Sequence, residues 1–129
     1  MVSRHVSQVV RRSPAEVYAF VADPANLPRW ASGLARAEVR RDGEDLVVDS
    51  PMGEVRVRFV QRNDLGVLDH AVVLPDGTQV MNPMRVLAHP DGAEVLFTVR
   101  QLGMTDEQLD ADVAAVAADL VRLRELLEE

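Results

Sequence analysis

The 129-residue chain contains no cysteine. Disulfides, thiolate nucleophiles and cysteine-bound metals are thereby excluded, and a reducing, cytoplasmic location is expected. Lysine is missing too: all 14 basic residues are arginine, set against 21 aspartates and glutamates for a net charge of −7. That balance argues against a nucleic-acid partner, whose phosphates call for a basic surface, and against binding to an anionic membrane surface. No apolar run approaches the ~20 residues that span a bilayer, so no membrane insertion is expected. The first dozen residues carry arginines and no apolar block, unlike a secretory leader. His5, His70 and His89 have no metal-ligand spacing and no carboxylates clustered with them, so no metal site is expected. There is no glycine-rich phosphate cradle and no serine in a nucleophile elbow, and no cofactor is expected. Aromatic residues make up only 4% of the chain, and Trp30 is the single tryptophan.

What is present suffices for one domain, residues 1–129, with a core of its own: 47% of the residues are hydrophobic. The last quarter reads as one amphipathic helix from Thr105 to Glu128. Thr105 is placed to cap it, Gln108 sits at the capping-box position, and Asp106 and Glu107 suit the positive end of the helix dipole. Leu109, Val113, Val116, Leu120, Leu123 and Leu127 recur at helical spacing. Ala114, Ala117, Val121 and Leu126 widen that stripe beyond a coiled-coil seam. So broad a stripe, on a helix roughly 36 Å long, predicts packing against a wide concave surface.

The N-terminal half begins with a strand over 2–11, with Val2, Val6 and Val10 on one face. Ser13-Pro14-Ala15-Glu16 is a helix start, with serine as cap, proline in the first turn and glutamate closing the box. Val17, Phe20 and Val21 form its buried side. Asp23-Pro24 restarts the chain into a second short helix that carries Leu27 and Trp30 toward Gly33. From Ala35 to Gln101 the period changes to two. Val55, Val57 and Phe59 alternate with Glu54, Arg56 and Arg58, the pattern of a half-buried strand. Asp42-Gly43, Asp76-Gly77 and Asp91-Gly92 punctuate strand-like runs as hairpin turns do. The expected order is strand, two short helices, about six strands and a long helix: an α+β domain with a sheet of about seven antiparallel strands.

This order resembles the START-related helix-grip superfamily (SRPBCC), in particular its small bacterial polyketide cyclase/dehydratase-like members. The resemblance is carried by Ser-Pro-Ala-Glu-Val-Tyr at 13–18 and Asp-Pro-Ala-Asn-Leu-Pro-Arg-Trp at 23–30. Gly-Val-Leu-Asp-His at 66–70, Pro-Asp-Gly at 75–77 and Glu-Val-Leu-Phe-Thr at 94–98 add to it. The resemblance covers nearly the whole chain. It implies a helix-grip fold, with a curved sheet wrapped around the C-terminal helix and a pocket between them. It implies apolar ligands such as lipids or polyketides, with cyclisation or dehydration in some members. Function, however, belongs to sites grafted on folds.

Strand alternation selects the side chains that face the helix. They are Val55, Val57 and Phe59; Val80, Asn82, Met84 and Val86; Val95, Phe97 and Val99; and Leu68, His70, Val72 and Leu74. Asp69 and His70 invite reading as a catalytic dyad, but neighbouring strand residues point to opposite faces. His70 alone is a candidate general acid or base, against the plainer reading of a hydrogen-bonded core histidine. An inward Asn82 needs a partner, which is either a ligand carbonyl or another protein group. Pro83 after it cannot donate to a ladder and predicts a bulge or edge. Trp30 is either a pocket gate or a plug on the core, and Tyr18 is placed near the same entrance. Met52, Met84 and Met104 are candidate adaptable lining. The expected ligand-binding set is Trp30, Phe59, His70, Asn82, Met84, Phe97, Val116 and Leu120, with His70 and Asn82 as the catalytic candidates. Arg11-Arg12, Arg40-Arg41 and Arg56/Arg58 read as solvated faces. The leading functional expectation is binding of a small hydrophobic molecule. A polyketide cyclase/dehydratase using the same cavity is the alternative, and a protein-interaction module, for instance one that forms a homodimer, is the third.

Overall fold

Ser13 starts the first helix as its chemistry dictates. Its hydroxyl oxygen accepts from the Glu16 N–H at 3.2 Å, and Pro14 takes the first turn, where no N–H is needed. In the computed structural model, which describes residues 1–31, 38–50 and 53–129, this helix is α1 (Pro14–Ala22). It follows strand β1 (Ser3–Val10). A single 3₁₀ turn (Pro24–Asn26), capped by Asp23, leads into the short α2 (Leu27–Trp30). Strands β2 (Glu38–Asp42), β3 (Asp45–Ser50), β4 (Gly53–Phe59), β5 (His70–Val73), β6 (Gln79–Asn82), β7 (Met84–His89) and β8 (Gly92–Arg100) follow, and α3 (Asp106–Glu128) closes the chain. The complete capping box between Thr105 and Gln108 is present at the start of α3. Gly33, the Ala35–Ala37 start of the alternating region and Met52 lie outside the described residues.

Among the described residues the strands number eight rather than about seven, and they form two antiparallel sheets: β1-β8-β7 and β2-β3-β4-β5-β6. The difference arises at Pro83. The run read as one strand over 78–87 breaks there, because proline has no N–H for the ladder. β6 ends one sheet as its edge strand and β7 enters the other. The expected break is therefore a change of sheet.

Two devices fasten the sheets beside that corner. The loop ahead of β5 crosses to β7: the Leu68 N–H donates to the Met84 carbonyl and the Val86 N–H to the Gly66 carbonyl, at 2.8 and 2.9 Å. Gly66 has φ +74°, and a Cβ there would lie 2.3 Å from the Val86 carbonyl oxygen, so only glycine fits this crossing. Asn63 shapes the loop, its side-chain oxygen accepting from the N–H groups of Leu65 and Val67. Tyr18, rather than edging an entrance, accepts from the Asn63 N–H through its hydroxyl. The second device is Asp69. Its Oδ1 accepts from the Met84 N–H at 2.8 Å and from Arg85 Nε at 3.0 Å, while its Oδ2 accepts from Arg85 Nη2 at 2.9 Å.

Helix α3 lies along β1 and β8 and meets α2, and Arg4 pairs with Asp110 across the β1 contact. Leu109, Leu120 and Leu123 are its fully buried residues. They join Val10, Val17, Val21, Met84, Val95 and Val99 in one core. The outer face of β2–β4 carries ion pairs: Arg40 with Asp49 and Glu54, Arg56 with Asp42 and Asp45, and Arg58 with Asp45. Of the arginines read as solvated, Arg40, Arg56 and Arg58 are on that face, but paired.

Candidate ligand site

A hollow of about 210 Å³, open on one side, lies between helices α2 and α3, strands β4 and β5 of one sheet and β8 of the other. Among the described residues its wall is built from five elements. Helix α2 and the residue after it supply Leu27, Trp30 and Ala31. Strand β4 gives Val55 and Val57, β5 gives His70 and Val72, β8 gives Phe97, and α3 gives Val116 and Asp119. The strand contributions follow from period-two alternation. Val57 pairs with Val72 in the ladder, and His70 stands two residues before Val72 on the same face. Val116 and Asp119 lie one helical turn apart.

His70 is the polar centre of this wall. It is 8% exposed. Its ring sits 4.9 Å from that of Phe59, tilted, and 5.7 Å from that of Phe97, edge-on. It thus joins an aromatic residue of each sheet. Nδ1 lies 3.0 Å from the Leu68 carbonyl oxygen. A carbonyl only accepts, so Nδ1 carries the hydrogen. Burial, the largest influence, pushes the imidazole pKa below its ordinary value, against the opposing pull of the Leu68 carbonyl and the Asp69 carboxylate. The neutral ring therefore has a bare lone pair on Nε2, which has no partner among the described residues. Asp69 points to the opposite face of β5, into its contacts with Met84 and Arg85, so no dyad forms. Arg85 first, and then the Met84 N–H, holds the Asp69 carboxyl below the usual carboxylate range.

Trp30 is 4% exposed, and its indole N–H is buried with no hydrogen-bond partner. Among the described residues it is the only such buried side-chain atom. An orphaned donor of this kind costs about 1–3 kcal/mol.

The other expected site residues divide. Phe97 and Val116 line the hollow with Trp30 and His70. Phe59 stacks on His70 but belongs to the wall of an adjoining open groove of about 710 Å³. That groove also carries Asp23, Arg41, Glu44 and Arg62, charged side chains that suit water rather than an apolar guest. Met84 and Leu120 are fully buried in the core and do not reach the hollow. Asn82 pairs with His70 in the β5–β6 ladder but is only half-buried and forms no part of the wall. Leu27, Ala31 and Asp119 were not singled out in the sequence. Leu27 read there as part of the second short helix, Ala31 carries no signal of its own, and Asp119 sits beside the apolar stripe of α3, where a carboxylate looks like part of the solvated face. Val55, Val57 and Val72 were legible as inward residues but not as cavity lining.

Among the described residues no group of His, Asp or Glu side chains is disposed to hold a metal ion, and no helix is long and apolar enough to cross a membrane.

Several solved structures share the fold. The Aha1 dimer from Colwellia psychrerythraea superposes with a TM-score of 0.76 at 15% identity, over 99% of this chain and 97% of that one. Protein CV1439 from Chromobacterium violaceum gives 0.74 at 15% identity, over 98% of each chain. DynU16, a putative protein in the dynemicin biosynthetic locus, gives 0.74 at 15% identity over 98% of this chain and 47% of that one. At such identities the likeness shows a common fold, the helix-grip arrangement, and nothing of ligand or reaction. No curated protein sequence matches the chain. The sequence model of one family matches residues 1–127, and on that match the chain belongs to the polyketide cyclase / dehydrase and lipid transport family.

Proposed function

We propose that the protein binds a small hydrophobic molecule in the hollow between α2, α3 and strands β4, β5 and β8. The observation that carries this reading is the make-up of the wall among the described residues: eight apolar side chains with one neutral imidazole and one carboxylate among them. A space lined in this way forfeits dispersion contacts and holds water poorly, so an apolar guest gains by filling it. A few placed polar groups within an apolar wall is the usual composition of a small-molecule site. The family description, which includes lipid transport, agrees with it. The test is native mass spectrometry of protein purified from its own host, with thermal shift across a panel of fatty acids, flavonoids and polyketide mimics. A co-purified mass or a concentration-dependent rise in Tm is expected. No bound mass together with no shift overturns the reading.

One observation favours turnover in the same hollow as a second reading. A neutral histidine with a free Nε2 in an apolar pocket is equipped to accept a proton. Asn82, the partner expected to polarise a carbonyl, stands outside the wall, which leaves this chemistry with the base alone. Loss of at least a hundredfold in kcat on a polyketide-like substrate in His70→Phe, with binding retained, would support it. Unchanged kcat would dismiss it.

A further inference from the structure

Resting on the hollow as the binding site, we infer that Phe59 is a positioning residue for His70: its ring is the seal that separates the imidazole from the open groove and keeps the polar centre of the wall dry. His70 has a space on either side of it. It lines the hollow directly, and Phe59, a wall residue of the groove, lies against its ring.

The register of the five-stranded sheet shows where the border between the two spaces runs. Leu46 pairs with Val57 between β3 and β4, and Phe59 pairs with His70 between β4 and β5. Directly opposed residues of an antiparallel pair share a face, and Val57 stands two residues before Phe59 on β4, so all four side chains lie on one face of one sheet. In each pair one partner belongs to the groove and the other to the hollow: Leu46 and Phe59 line the groove, Val57 and His70 the hollow. At the first pair both residues are buried. At the second the cover is one ring thick. The Phe59 ring lies 4.9 Å from the imidazole at a tilt of 37°, within contact distance for two rings, and its half-buried side chain has the groove beyond it.

Taking the ring away gives its volume to the groove rather than to the core. Water can follow, because the groove already carries charged side chains and the imidazole offers Nε2 as an acceptor. Burial is the largest influence holding the His70 pKa below its ordinary value, so hydration through the groove raises it. The charges around the ring do not oppose that direction. Asp119 of α3 lines the same hollow and has interactions of its own, and Asp69 on β5 faces away; a carboxylate in either place favours the protonated ring. The groove carries two charges of each sign, Asp23 and Glu44 against Arg41 and Arg62. Among the described residues α2, β4 and β8 face the site with apolar and aromatic side chains, and Asn82, opposite His70 on β6, is uncharged.

The test compares the unaltered full chain with Phe59→Ala and Phe59→Leu. Two readouts are taken: the NMR titration of labelled histidine, and the rate at which diethyl pyrocarbonate modifies each histidine, followed by mass spectrometry. His5 and His89, which line neither space, are the internal standards. In Phe59→Ala His70 should titrate at higher pH and react at least about tenfold faster relative to His89, since a covered group reacts only through local opening, while both standards stay as they were. Leucine covers the imidazole without a ring, so Phe59→Leu should return both readouts close to those of the unaltered protein. Unchanged titration and unchanged reactivity in a folded Phe59→Ala overturn the seal. A leucine variant that behaves like the alanine one also overturns it, because stacking rather than cover would then govern His70. Should Phe59→Ala not fold, the unaltered protein still decides: His70 is expected to react at least about tenfold more slowly than His89, and equal rates would mean that the imidazole is reached without moving Phe59. These readouts need no guest, so failure of the seal is distinguishable from failure to find a ligand.

Discussion

Filling the hollow separates a functional void from a packing defect, and Val72→Phe is the substitution to make. Val72 lies on the wall two residues along β5 from His70, its Cβ on the face that meets the space. Empty volume in a core forfeits about 24 cal/mol per Å³. On that scale the 210 Å³ hollow represents up to about 5 kcal/mol of unrealised stability, less because one side is open. Valine to phenylalanine adds about 50 Å³, a quarter of the space, and should therefore stabilise the free protein by about 1 kcal/mol. The same ring occupies the volume a guest would take, so affinity should fall at least tenfold. The assay pairs urea unfolding, read as the midpoint at constant slope, with titration of 2-methoxynaphthalene. A protein that gains stability and loses binding has surrendered a site for the sake of packing, the usual relation between stability and function. Two results would refute the reasoning. A loss of more than about 1 kcal/mol would mean overpacking of a region already full. Undiminished affinity would place the guest elsewhere.

Three further substitutions test the corner between the sheets. Asp69→Ala should cost about 3 kcal/mol. It strands the Met84 N–H in a fully buried residue, and it also breaks a paired contact with Arg85, whose half-exposed side chain contributes the smaller share. Asp69→Asn keeps the acceptor for Met84 and should cost about 1 kcal/mol. Because the folded protein lowers the Asp69 pKa, this stabilisation is present above the ordinary carboxylate pKa and is lost as pH falls through the lower folded value. Acid titrations of stability should accordingly be shallower in Asp69→Asn; matching acid limbs would show that the ion pair contributes nothing. Gly66→Ala should destabilise by at least about 3 kcal/mol, since it adds a Cβ 2.3 Å from the Val86 carbonyl oxygen at a φ of +74°. A denaturation midpoint close to that of the parent would show that the crossing loop does not hold the sheets.

The sequence by itself determined what is local. The caps at Ser13 and Thr105 are satisfied within three residues of chain, so their helices begin where the side chains say. Strand alternation is equally local: the faces of Val57, His70, Val72 and Phe97 follow from period two once each strand is recognised, and so does the separation of Asp69 from His70. The absence of cysteine and lysine and the acidic balance needed no structure to exclude thiolate chemistry and argue against nucleic-acid binding. Only the tertiary structure decided which inward residues meet empty space. Met84, Phe97 and His70 all alternate inward, yet Met84 is sealed in the core while the other two border the hollow. The difference lies in where two sheets part, and that depends on a change of sheet at Pro83 fastened by Asp69 and Gly66 across distant segments of chain. The tautomer of His70 likewise rests on the Leu68 carbonyl, and the orphaned N–H of Trp30 on the lack of any acceptor nearby. Periodicity reports a direction relative to one's own backbone; a cavity is a relation among five elements, and no local pattern encodes it.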